Sequence, residues 1–221
     1  MARIARVVAP GYPHHITQRG NRRQQTFFCD EDYSEYLHLM SEWCSKHKVE
    51  CWAYCLMPNH VHLILVPSDK EGMNRVVGEA HRRYTRMINF REGWRGHLWQ
   101  GRFSSSIMDE RYLVACTKYI ELNPVRAGLV KSPFEWSWSS ARYHLEGIDS
   151  PLLKTQFLKG IIQKPWDKFL TDDVLNNEME LFRKHERTGR PMGDSSFIKD
   201  LEILLDRVLK PQKPGPKVYD K

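Results

Sequence analysis

Residues 49–66 read VECWAYCLMPNHVHLILV. From Val49 to Met57 and again from Val61 to Val66 the residues are mostly β-branched, aliphatic or aromatic, and Pro58-Asn59 interrupts them. The pattern predicts two adjacent antiparallel strands joined at that dipeptide. Val61, Leu63, Ile64 and Leu65, flanking the histidines, put apolar residues on both faces of the second strand, the mark of a central strand. Within it His60 and His62 stand at i and i+2, which puts both imidazoles on one surface of the sheet.

Working outward, Tyr12 to Gln18 (YPHHITQ) reads as a first strand, and Arg19 to Arg23 (RGNRR) as a basic turn. Asp30-Glu31-Asp32 suits a helix N-terminus, and Tyr36, Leu37, Met40 and Trp43 follow at helical spacing, predicting a helix over 31–47. A second helix is predicted over 73–89, with Val76, Val77, Ala80, Tyr84 and Met87 apolar and Arg82, Arg83 and Arg86 on another side. Residues 97–108 read as a strand or hairpin bent at Gly101. Asp109-Glu110 then opens a third helix through Tyr119, which Pro124 should end or kink. The order β-α-β-β-α-β-α is α+β, a ferredoxin-like antiparallel sheet with packed helices. Beyond residue 148 the composition changes. Helices are expected over 165–187 and 195–209, the latter capped by Ser195, followed by a disordered Lys/Pro tail (KPQKPGPK, 210–217). The expected division is a domain over 1–147 and a small helical extension over 148–221.

Hydrophobic residues make up 41% of the chain and charged ones 28%, the balance of a folded protein. With 34 Lys+Arg against 27 Asp+Glu, the net charge of +7 favours a polyanionic partner without identifying it. No stretch reaches the ~20 apolar residues of a membrane span, and the N-terminus lacks a signal-peptide core, so the expected location is the cytoplasm. Five unpaired cysteines suit reduced thiols. Cys51 and Cys55, at i and i+4 of a strand, are expected on one face as core filling rather than as a zinc pair.

Two neutral imidazoles at the spacing of His60 and His62 can chelate one divalent ion, although a His-x-His in a strand is also found without metal. Unpaired imidazoles would be costly to bury in a central strand, which favours the metal reading. The tyrosines offer a separate test, because a helix places i and i+4 on one face. Of the nine, Tyr119 alone has a carboxamide or carboxylate four residues on, at Asn123. Tyr119 could attack a phosphodiester while Asn123 lends its amide oxygen to the metal. Taken alone, Tyr119 also fits a half-buried aromatic with its hydroxyl satisfied.

Five segments, HITQRGNRRQ (15–24), MPNHVHLIL (57–65), LWQGRFSS (98–105), YIELNPVRAG (119–128) and WSWSSARYHL (136–145), together resemble the HUH-type single-tyrosine transposases, most closely the REP-associated tyrosine transposases. The resemblance covers about residues 1–147. It implies that His60 and His62 are paired metal ligands, that Tyr119 is the nucleophile, and that Asn123 stands at the polar third ligand, where relatives outside this branch carry Gln. It further implies hairpin-forming repetitive palindromes as substrates, cut beside the hairpin.

A tyrosine hydroxyl ordinarily titrates near 10, so attack at neutral pH needs help with the developing charge. A divalent ion, Mg²⁺ or Mn²⁺, on the scissile phosphate would supply it. Tyr119 would then leave a 5′-phosphotyrosyl link and a free 3′-hydroxyl, and the reaction could reverse on another strand. Arg19, Arg22, Arg23, Arg82, Arg83, Arg86 and Arg102 are candidates for contacts to single-stranded or hairpin DNA, with a solvated helix face as the alternative for the helical three. Trp99 and Phe103 are candidates for base stacking, with core packing as the alternative. Three other readings stay open at this point: a non-catalytic single-stranded nucleic-acid-binding module of ferredoxin-like fold, a metal-dependent hydrolase in which water attacks, and a host-adopted relative of the transposases. A monomer and a homodimer are both compatible with one tyrosine per chain.

Overall fold

In the computed structural model, which describes residues 6–172 and 188–210, β2 (Val49–Met57) and β3 (His60–Pro67) pair antiparallel across Pro58 and Asn59. The free side of β3 pairs with β1 (His14–Arg19), and β1 with β4 (Ser104–Ile107), giving the order β2-β3-β1-β4 with every neighbour antiparallel. The connections are α1 (Asp30–Lys46) between β1 and β2 and α2 (Gly72–Glu92) between β3 and β4. This is the ferredoxin-like arrangement expected from the element order.

As an interior strand, β3 has both faces covered. Val61, Leu63 and Leu65 pack with Tyr36 and Met40 of α1 and Val76, Val77 and Tyr84 of α2. Ile64 and Val66, on the other face, join Cys55 and Met57 of β2 and Leu113, Cys116 and Ile120 of α3 (Glu110–Glu121). All three leucine-side residues of β3 are fully buried, each contributing about 1.5–3 kcal/mol by leaving water.

After α3 the chain turns at Leu122 into the one-turn helix α4 (Asn123–Arg126), with Pro124 in its first turn. Proline has no N–H to continue α3, so the predicted break falls where expected. The short helices α5 (Ala141–Glu146), α6 (Gln156–Ile161) and α7 (Trp166–Thr171) lie on the α3 side, where Leu158, Ile162, Trp166, Phe169 and Leu170 share its core. The helix α8 (Ser195–Leu205) packs Leu201 against Val7, Ala9 and Ile107. Met192 bridges to Met108 just past the end of β4, covering part of an edge that would otherwise stay unpaired.

Four expectations need correction or limits. Cys51 and Cys55 do not share a face: a bulge between Cys51 and Ala53 places Trp52 and Ala53 on the same side, so Cys51 joins the α1/α2 core and Cys55 the α3 core. Both remain buried free thiols. Residues 97–108 form a strand only over Ser104–Ile107, because the positive φ of 64° at Gly101 turns the chain and Trp99 makes an isolated bridge to Gly20. The cap of α8 is Asp194, whose carboxylate accepts from Phe197 N, and not Ser195. Of the helix expected over 165–187, Trp166–Thr171 is observed, and 173–187 and the tail from 211 lie outside the described residues.

Two buried histidines away from the α3 face make acid stability predictable. His14 donates from Nδ1 to Tyr12 O and accepts at Nε2 from Ala9 N, and burial lowers its pKa to about 4. Burial likewise lowers that of His81 to about 3. An unfolded histidine titrates near 6.5, so between that value and 4 the unfolded chain binds protons the folded one refuses. Stability is therefore full above about pH 6.5 and falls as pH drops toward 4. Thermal melts should show Tm declining by about 5 °C or more across that window. A Tm that stays flat from pH 6.5 to 4 would contradict this burial.

Candidate active site

The β3 face that carries His60 and His62 also carries, on neighbouring strands, Thr17 and Arg19 of β1, because the antiparallel register sets Thr17 opposite His62 and Arg19 opposite His60. Ser104 of β4 stands opposite Thr17. The end of α3 brings Tyr119 onto this polar strip, and the first residue of α4 brings Asn123. Together these seven residues, with Gln18, Gln100 and Arg102, line one cleft of about 520 Å³. The His60 and His62 rings lie 5.0 Å apart between centroids and nearly perpendicular, and the Tyr119 ring stands 5.7 Å from that of His62. Thus the four residues singled out from sequence as ligands and nucleophile meet at one place.

Three neighbours that sequence reading passed over orient this group. Asn59 donates from its amide nitrogen to Arg23 O (3.1 Å), which turns its carbonyl oxygen toward His60 Nδ1 at 2.6 Å. That oxygen can only accept, so the His60 proton sits on Nδ1 and Nε2 carries the lone pair. His15, on β1 two residues before Thr17, stacks on His62 (5.3 Å, 10°) with its Nε2 3.0 Å from His62 Nδ1. With the shared proton on His62, its Nε2 too is a lone-pair nitrogen. Arg126 lays its guanidinium 4.1 Å from the Tyr119 ring centroid and donates to Tyr119 O at 2.6 Å. The signals were present: Asn59 adjoins the His-x-His, His15 shares the strand face with Thr17, and Arg126 lies two helical turns past Tyr119.

Both cleft histidines are held neutral. Burial, then the charge of Arg19, lowers the His60 pKa to about 4. Burial, followed by the neighbouring His60 and His15, pushes that of His62 well below the ordinary value. Asn123 presents a further sign: its side-chain nitrogen is buried with no hydrogen-bond partner. Turned by 180°, the amide would offer its carbonyl oxygen from the same position, a group that can ligate a divalent cation. Among the described residues no cluster of three or more His, Cys, Asp or Glu could hold a metal. The available set is two imidazoles and an amide, open rather than caged.

The other candidates divide. Arg19 and Arg102 line this cleft. Arg22 and Arg23 are exposed in the turn after β1, both with positive φ (53° and 64°). Arg82 lines a second cleft of about 450 Å³ that shares Arg102 with the first, and also pairs with Glu79 at 2.7 Å. Arg83 and Arg86 reach neither cleft, and the Arg83 guanidinium lies 4.9 Å from the Trp43 ring centroid. Trp99 and Phe103 are each 7% exposed, Trp99 stacked on His81 at 4.5 Å and Phe103 under the Arg6 guanidinium at 3.4 Å. Their rings belong to the α1/α2 core, the alternative named for them, and both also border the second cleft.

The sequence model of the family described as Transposase IS200 like matches residues 10–123, which runs from the approach to β1 through Asn123. The chain belongs to the IS200-like transposase family. It is accordingly an enzyme that cleaves and rejoins DNA strands. A Haemophilus influenzae protein assigned as a REP-associated tyrosine transposase is 26% identical over 121 residues, 49% of this chain and 69% of that protein. A solved REP-associated tyrosine transposase bound to a REP hairpin shares the fold of this transposase, with a TM-score of 0.54 and 22% identity over 70% of this chain and 92% of that one. Among the described residues no helix is long and apolar enough to cross a membrane.

Proposed function

We propose that this transposase cuts and rejoins single-stranded DNA beside hairpin-forming repetitive palindromes, with Tyr119 as nucleophile and His60, His62 and Asn123 as ligands of a divalent ion, Mg²⁺ or Mn²⁺. The observation that carries the reading is the convergence of these four side chains, from β3 and from the distant α3 and α4, on one polar cleft. The bound ion would act as a Lewis acid toward the scissile phosphate. Tyr119 Oη gives up its proton to solvent and forms the bond to phosphorus, the bond from phosphorus to the 3′-oxygen breaks, and that oxygen takes up a proton from solvent to leave as the 3′-hydroxyl. The 5′-phosphotyrosyl bond keeps the phosphodiester's energy, so a second 3′-hydroxyl can reverse the step. Arg126 places positive charge against the Tyr119 ring, and Arg19 and Arg102 place it along the cleft. Arg22 and Arg23 extend that charge around the rim as contacts to the backbone of the strand. The hairpin substrate is supported by the relatives' names and by the net charge of +7.

With a labelled single-stranded hairpin and Mn²⁺, the wild-type chain should yield a denaturation-resistant adduct. Tyr119→Phe should lower its formation by at least about 10³-fold while hairpin affinity stays within about threefold. An adduct that persists in the variant overturns the nucleophile. Because His15 orients His62 without ligating, His15→Ala should weaken Mn²⁺ binding about 10–100-fold in an electron paramagnetic resonance titration of free Mn²⁺. Unchanged affinity would remove His15 from the site.

A further inference from the structure

Glu121 lies two residues beyond Tyr119, about 200° around α3 at 3.6 residues per turn, and so faces away from the cleft. Its side chain is completely buried. Three donors from later parts of the chain surround the carboxylate. Ser140 Oγ donates to Oε1 at 2.5 Å, His144 Nδ1 to Oε1 at 2.6 Å, and Trp166 Nε1 to Oε2 at 2.7 Å. Ser140, His144 and Trp166 are themselves no more than 5% exposed, and the His144 ring stacks on Trp166 at 4.3 Å. Although serine, histidine and a carboxylate are all present, this is no hydrolytic triad. Ser140 contacts the carboxylate and not the imidazole, and no substrate could reach it.

The cluster is mechanically tied to the histidine strand. Ser140 Oγ accepts from Tyr54 N at 3.1 Å, Ser140 N donates to Tyr54 O at 2.9 Å, and the next residue of β2, Cys55, stands opposite His62. The same segment runs along β2, with Leu56 N donating to Trp138 O and Trp136 Nε1 to Leu56 O. One carboxylate therefore fastens the back of the helix carrying Tyr119 to the strand beside His62 and, through Trp166, to α7.

We propose that Glu121 is a positioning residue that sets Tyr119 and Asn123 over His60 and His62, and that the segment through α7 is part of the catalytic unit rather than an appendage beginning at 148. The proposal rests on the reading of Tyr119 as nucleophile. A buried carboxylate tolerates its charge only while its donors stay in place, so α3 is held in one register and rotation. Because near-attack geometry is sensitive to shifts of about 1 Å, loosening this anchor should slow attack more than it weakens DNA binding.

The test uses the full chain with Glu121→Gln, Glu121→Asp and Trp166→Phe. Three quantities are read: hairpin Kd, the rate of adduct formation at saturating hairpin and Mn²⁺, and backbone hydrogen exchange over α3. Expected results are a rate lowered at least about tenfold in Glu121→Gln, Kd within about threefold, partial recovery of rate in Glu121→Asp, and faster exchange in α3. Trp166→Phe removes one donor and leaves the charge, so it serves if Glu121→Gln does not fold, and should show the same pattern at smaller size. Unchanged rate and exchange in a folded variant would overturn the proposal, as would a loss confined to Kd. If the wild type forms no adduct at Tyr119, the nucleophile reading fails. Exchange then still decides whether Glu121 anchors α3.

Discussion

An interior strand has no face to give to water, and β3 is one. Every side chain on it must be accepted by one of two covered surfaces, and its sequence sorts them by position: Val61, Leu63 and Leu65 to the α1/α2 core, His60, His62, Ile64 and Val66 to the α3 side. A slip of one residue would put imidazoles among leucines and leucines under Tyr119. The register with β1 and β2 is thus pinned by the hydrophobic pattern, and the same pinning sets His62 between Thr17 and Cys55. The geometry of the site is a by-product of how the sheet buries its apolar side.

Two imidazoles under a helix must find partners or stay neutral, and here they do both. Asn59 fixes one and His15 engages the other, each through Nδ1, while burial keeps the rings unprotonated. The partners are local to the sheet: one is the residue before β3, the other a diagonal neighbour on β1. Asn59 in turn is oriented by Arg23 O, which links the strained basic turn after β1 to the protonation of His60. Opposite them, α3 is gripped on its far side by the buried Glu121 cluster and presents Tyr119 on its near side, with Asn123 following at the start of α4.

The element order and the central place of β3 were legible because they rest on periodicities of two and of 3.6 that the residues display openly, whereas the sharing of one site by His60, His62, Tyr119 and Asn123 was implied by the resemblance of the five segments to the transposases, since no periodicity relates β3 to α3. What stayed hidden depends on backbone detail or on distant contacts. The bulge near Trp52 inverts the face of Cys51 without changing the hydrophobic pattern, so strict alternation misplaces it. Trp99 and Phe103 sit in a basic segment, and composition could not tell a stacking platform from core filling under His81 and Arg6. Arg82, Arg83 and Arg86 point differently because α2 offers one stripe to the core and a wide arc to solvent. The role of Glu121 has no local signal, since its partners lie 19 to 45 residues downstream.

The central claim is that the strip of β3 and β1 presents a phosphate to Tyr119. It is tested most directly by digesting the trapped protein–DNA adduct with protease and nuclease and locating the residual nucleotide by mass spectrometry. The account predicts that nucleotide on the peptide containing Tyr119, joined through its 5′-phosphate. Nucleotide on another residue, or cleaved DNA bearing a free 5′-phosphate with no peptide attached, would contradict it.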